Sequence, residues 1–251
     1  TLGTPICVSV ENQDQRSKDY DKLKNSYRPG HADQTTMYKF GYRDHRGGGR
    51  SSGRETLCRV MAGYFASLIV PKVKVKALIT QIGEYKADFK ASSRSKIGFA
   101  CESFDDRLSK YLLDLKEQGD SIGGEVEVQI TGHAKGLGEP VFDKLKADLS
   151  KAMLSIGSCM GIDFGLGHKF ATLKGSEISK DSSNFAGIEG GISNGETIYF
   201  KLYFKAPSTI GEKAKEGRHD PCILPRVLPV VESMATVVMA DHTLRQNAFQ
   251  L

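Results

Sequence analysis

Between Thr197 and Phe204 the chain reads as a strand, alternating without a break with Ile198, Phe200, Leu202 and Phe204 on one side and Tyr199, Lys201 and Tyr203 on the other. A period of two is an extended strand with one face on a core. Two further stretches share the pattern. Lys72 to Gln81 sets Val73 and Val75 among lysines before turning apolar, and Glu125 to Ile130 alternates Val126, Val128 and Ile130 with Glu and Gln. One-faced strands belong to antiparallel sheets backed by helices. The expected class is therefore α+β. A strand is also expected from Pro5 to Val10.

The helices are legible from apolar spacing. Leu57, Val60, Met61, Tyr64, Phe65 and Leu68 recur at helical intervals, and Ser52 with Glu55 three residues on reads as a capping box at the start. Asp105 and Asp106 open a helix carried by Leu108, Tyr111, Leu112 and Leu115 and closed at Gly119; Phe142, Leu145, Leu149 and Met153 mark another. The last apolar helix is expected from about Val227 to Leu244. Residues 11 to 50, polar and rich in Gly, Arg and Lys, show no sustained periodicity and read as functional loop.

No linker-like tract or internal repeat divides the 251 residues, so one domain spanning 1–251 is expected. The net charge of +5 suits a polyanionic ligand without choosing between a small molecule and nucleic acid. Five widely spread cysteines without CxxC spacing point to neither a disulfide framework nor zinc, and the histidines form no ligand-spaced cluster, so no metal is expected. A reducing cytoplasm fits that usage. No uninterrupted apolar run approaches the roughly 20 residues that cross a bilayer, and no membrane partner is expected.

Four segments bring together groups capable of chemistry. Arg46 to Glu55 (RGGGRSSGRE) places three glycines, cations and hydroxyls directly before a helix start, where unpaired N–H groups favour an anion. Composition leaves a phosphate site and a flexible surface loop evenly balanced, with an arginine-glycine RNA tract the weaker alternative. Arg28 to Asp33 (RPGHAD) sets His31 between a cation and a carboxylate, which suits a general acid. Gly217 to Cys222 (GRHDPC) offers Arg218, His219 and Asp220 within a short loop, although Asp220 before Pro221 also reads as a turn residue. Lys205 to Thr209 (KAPST) puts a cation and two hydroxyls at the end of the clean strand.

RPGHAD at 28–33, YRDHRGGGRSSGRET at 42–56, GDSIGG at 119–124, GLGEPVFDKL at 136–145 and GRHDPC at 217–222, taken in this order, resemble the chorismate synthases. The resemblance implies an α+β sandwich of helices between antiparallel sheets, assembled as a homotetramer. It implies a shikimate-pathway lyase that depends on reduced FMN (FMNH2) and eliminates phosphate from 5-enolpyruvylshikimate 3-phosphate in a 1,4-anti sense. Carried over residue by residue, it implies flavin contacts at Arg50, Ser51, Ser52, Gly190, Lys205, Ala206, Pro207, Ser208, Thr209 and Arg218. Gly157 and Ser158 join them through backbone, because their side chains differ from the family's. His31 is implied as proton donor to the reduced cofactor, Asp220 as the base for the C6 proton, and Arg28, His31 and Arg218 as substrate contacts. The family's opening segment, with a second histidine, is not represented, and two ligand-facing loops are short. The expectation is therefore a chorismate synthase domain lacking that segment and parts of its loops. Two rivals remain at this stage: an RNA- or phosphate-polymer-binding module without catalysis, and an FMN reductase that turns over NADPH.

Overall fold

A computed structural model describes residues 2–11, 27–45, 49, 52–89, 94–215 and 219–249. Among them, five strands form an antiparallel sheet: β1 (Lys74–Ile82), β2 (Tyr85–Lys86), β3 (Gly124–Thr131), β4 (Cys159–Phe164) and β7 (Ile198–Phe204), in the order β2-β1-β3-β7-β4. The register runs Gly124↔Phe204 to Ile130↔Ile198 between β3 and β7, and Val75↔Ile130 between β1 and β3. The alternation fixes that register, since a slip of one residue would turn every apolar side chain to the other face. Ile198, Phe200 and Leu202 are fully buried with Val126, Val128 and Ile130 beside them. Each such side chain contributes roughly 1.5–3 kcal/mol by leaving water.

Helix α7 (Leu224–Asn247) backs the core face of the sheet, with Leu224, Leu228, Val231, Ala235 and Met239 buried. By length and hydropathy alone it would suffice to cross a bilayer, but half of its apolar window is buried inside the protein. Helix α4 (Leu145–Leu154) packs on α7 and β4 and touches the hairpin of β5 (Ile188–Glu189) and β6 (Ile192–Ser193). It thus lies between the large sheet and a small one, which agrees with the expected α+β class. Helix α3 (Asp105–Gln118) ends at Gly119 in the left-handed conformation, as read from the sequence.

Several expectations are corrected. Residues 5–10 pair with no strand among the described residues, and Ile6, Val8 and Val10 stand exposed. The stretch read as loop contains helix α1 (Asp33–Phe40), ended by Gly41 at φ 67°. Its sequence DQTTMYKF carries no apolar stripe to announce it. Phe142 lies outside α4 and is 89% exposed. Helix α2 (Thr56–Ile69) forms, yet it turns Gly63 and Ala66 inward, while Leu57, Tyr64, Phe65 and Leu68 are exposed. The reason is close approach: a Cβ on Gly63 would sit 2.7 Å from the Cα of Ser233 in α7. The short helices α5 (Gly175–Ile178) and α6 (Glu212–Lys215), and strand β4, had no clear signal in the sequence.

Candidate active site

One end of the sheet gathers the described parts of three of the segments singled out above, those carrying His31, Lys205 and Asp220. There β7 runs out at Phe204, β3 begins at Gly124 and β4 begins at Cys159, all in one register row. Lys205 continues from β7, and its N–H donates to the Ser158 carbonyl at 2.9 Å. Its Nζ donates to Ser208 Oγ at 2.7 Å and to the Ala206 carbonyl at 3.3 Å, folding KAPST into a cation-hydroxyl pair. Gly123 and Gly124 let the preceding loop lie against this strand end, because a Cβ on Gly123 would meet the Ala206 nitrogen at 3.0 Å. Ser121 Oγ then donates to the Pro207 carbonyl at 2.7 Å.

The 119–124 loop also clamps the segment carrying Asp220. His219 Nε2 lies 2.7 Å from the Asp120 carbonyl, an acceptor, so this nitrogen carries the hydrogen. Ile122 N–H donates to the Pro221 carbonyl at 2.8 Å. Asp220, held between these two ties, faces Arg226 in the first turn of α7 at 3.2 Å and keeps 29% of its side chain exposed. It retains access to a ligand.

Beside KAPST stands the turn of residues 28–31. Gly30, at φ +68°, points the position of its absent Cβ at Ser208 Oγ, 3.6 Å away, and at Lys205 Nζ, 4.0 Å away. Asp33, only 4% exposed at the start of α1, collects three partners. Arg28 donates to it from Nε (2.9 Å), Nη2 (3.2 Å) and its backbone N–H (3.3 Å); His31 Nδ1 lies 3.0 Å away and Arg43 Nη1 3.3 Å away. Burial opposes ionisation of Asp33, but the hydrogen bonds and charge of Arg28 prevail and hold its carboxyl at about 2. For His31, burial and then Arg28 push the imidazole below its ordinary value, with Asp33 pulling the other way.

Helix α2 is capped locally and tied to the rest of the protein further along. Ser52 Oγ accepts from Arg54 N–H at 3.3 Å, so the cap is made by Ser52 while Glu55 pairs instead with Arg59 at 2.8 Å. Arg59 reaches across to Ser155, donating to its Oγ at 2.7 Å and its carbonyl at 3.2 Å. This ties the helix to the turn in which Gly157 has open space around its Cβ position and Ser158 takes φ 71°.

Among the expected site residues, the fold therefore assembles Arg28, His31, Gly157, Ser158, Lys205 to Thr209 and Asp220, while Ser52 makes only local contacts among the described residues, at the start of its helix. Arg50, Ser51 and Arg218 lie outside the described residues. Gly190 is not brought to this cluster within the chain: it sits in the β5–β6 turn, whose Gly191 carbonyl accepts from Leu145 N–H at the far end of α4 from Gly157. Sequence reasoning missed Arg43, Arg59 and the His219–Asp120 tie. Arg59 and Ser155 are 96 positions apart, and no local pattern joins them.

Comparison with known proteins points one way. Residues 1–244 match the family model described as chorismate synthase. The chain is similar to the chorismate synthase of Cytophaga hutchinsonii, 42% identical over 285 aligned residues that take in all of this chain and 79% of that protein. It is likewise similar to the chorismate synthase of Bdellovibrio bacteriovorus, 44% identical over 256 residues, 97% of this chain and 75% of the other. A crystal structure of chorismate synthase superposes with a TM-score of 0.73 at 25% identity, covering 86% of this chain and 70% of that one.

Proposed function

The chain belongs to the chorismate synthase family of lyases, and we propose that it carries out the reduced-FMN-dependent 1,4-anti elimination of phosphate from 5-enolpyruvylshikimate 3-phosphate to give chorismate. The observation that supports this most is the convergence of the family's separate motifs on one end of the sheet, with Lys205, Ser208, His31 and Asp220 on loops that hydrogen-bond to or abut one another.

The residues fit a flavin phosphate. Lys205 and Ser208 supply charge-assisted donation, Ser52 opens a helix whose first N–H groups favour an anion, and Gly157 leaves room for close backbone approach. Ala206, Pro207 and Thr209 shape the loop around that pair, with Ser158 adjoining through backbone. Arg50, Ser51 and Arg218 complete the set on the strength of their motifs, as does Gly190. Reduced FMN supplies transient electron density that eases departure of phosphate, with no net oxidation. His31 holds and gives up a proton at Nε2, which has no hydrogen-bond partner among the described residues. Asp220 accepts the proton leaving C6. Arg28 commits Nε and Nη2 to Asp33, leaving Nη1 for an anionic substrate. A homotetramer is the proposed assembly, supported by the exposed apolar side chains of α2.

Flavin absorbance during single turnover tests the chemistry. Phosphate should appear with the flavin reduced before and after; oxidation of one flavin per substrate consumed would overturn the elimination.

A further inference from the structure

His31 Nδ1 faces two groups with opposite demands. Asp33 Oδ1, 3.0 Å away, is an acceptor and calls for a hydrogen on Nδ1. Arg28 Nη2, 3.2 Å away, can only donate and calls for a bare Nδ1. The contest is uneven. With a hydrogen on Nδ1, Arg28 keeps its Nε and Nη2 bonds to Asp33, and the ring adds a bond to the same carboxylate. With Nδ1 bare, that charge-assisted bond is lost.

We propose that Asp33 is the positioning residue for His31, its carboxylate holding Nδ1–H against the competing claim of Arg28 and so fixing Nε2 as the atom from which the ring gives up a proton. This rests on the reading of His31 as a proton donor. The balance is simple: the imidazolium carries hydrogens on both nitrogens, the Nε2–H bond breaks, the proton passes to the reduced flavin, and the ring remains as the neutral Nδ1–H tautomer bonded to Asp33. A neutral Nε2–H ring would have to become an anion to do the same. The charges around the ring make Asp33 necessary. Arg28 adjoins from the same turn and Lys205 from the loop after β7, both cations that resist a positive ring, while Arg43, from the chain after α1, pairs with Asp33 itself. Asp33 is the only carboxylate the described residues set against it.

The test is NMR of histidine-labelled full chain without ligands, reading the tautomer and titration midpoint of His31. The neutral ring should be Nδ1–H. Asp33→Asn should convert it toward Nε2–H and lower the midpoint by about one pH unit or more, as expected when an adjacent opposite charge is removed. Arg28→Gln should move the midpoint upward and keep the Nδ1–H tautomer. An unchanged tautomer and midpoint in Asp33→Asn would overturn the inference. If that variant fails to fold, Arg28→Gln alone decides, and a midpoint that stays put or falls rejects it. Activity separates the underlying reading. The alkaline limb of the kcat profile should shift down with the Asp33→Asn midpoint. An NMR shift with an unmoved limb would remove His31 as donor and leave the role of Asp33 standing.

Discussion

Burial would push the Asp33 carboxyl up, yet its bonds to Arg28 hold it at about 2 in the folded protein. The unfolded chain has the ordinary value, about 3.9. A depressed folded value stabilises the fold above the unfolded value and is lost as pH falls through the folded one, here between about pH 4 and pH 2. The amount is roughly 2 kcal/mol. Urea unfolding across that window should show the native protein losing about that much more stability than Asp33→Asn; parallel losses would contradict the ion-pair account. Asp220→Ala should keep FMN binding and abolish turnover, because it deletes the proposed proton acceptor and spares the Lys205–Ser208 pair. Equal loss of both in flavin titration and chorismate assay would count against that role. Arg59→Ala should weaken FMN binding about tenfold, the order expected for a lost charged hydrogen bond; unchanged affinity would show that the α2 start does not need its tie to Ser155. His31 and Asp220 stand out as candidates in the sequence because each sits in a short motif. Arg43 and Arg59 do not, since their partners arrive only through folding.

Helix α2 shows how a correct element can carry a wrong face. Its large apolar residues define a stripe in the sequence, but the fold buries the small ones so that α2 and α7 approach closely at Gly63 and Ser233. Gly63→Val should therefore overpack the contact and cost about 1–3 kcal/mol in thermal or urea unfolding. A neutral result would mean that the helices can separate without loss. Strand β7 was legible to within a residue because alternation is the direct imprint of a half-buried strand. Strand β4 was hidden: CMGIDF contains a glycine and an irregular register between Cys159 and Gly161, which break the period of two.

At the scale of the molecule, the α+β class followed from local patterns, whereas the site did not. Its parts lie near residues 30, 120, 158, 206 and 220, and what unites them is the shared end of β3, β4 and β7. The motif order identified the family before any geometry was known; distances then supplied the ties between loops. The enclosed, carboxylate-bound arginines Arg28 and Arg43 argue against a surface for nucleic acid. A single-stranded RNA oligonucleotide should show no tight binding at about 0.15 M salt, and steeply salt-dependent binding would revive that reading. The central claim is tested most directly by anaerobic chorismate formation from 5-enolpyruvylshikimate 3-phosphate by the intact gene product, with FMN supplied either oxidised or chemically reduced. Chorismate should form with reduced FMN alone; a folded protein that binds FMN and yields none would contradict the assignment.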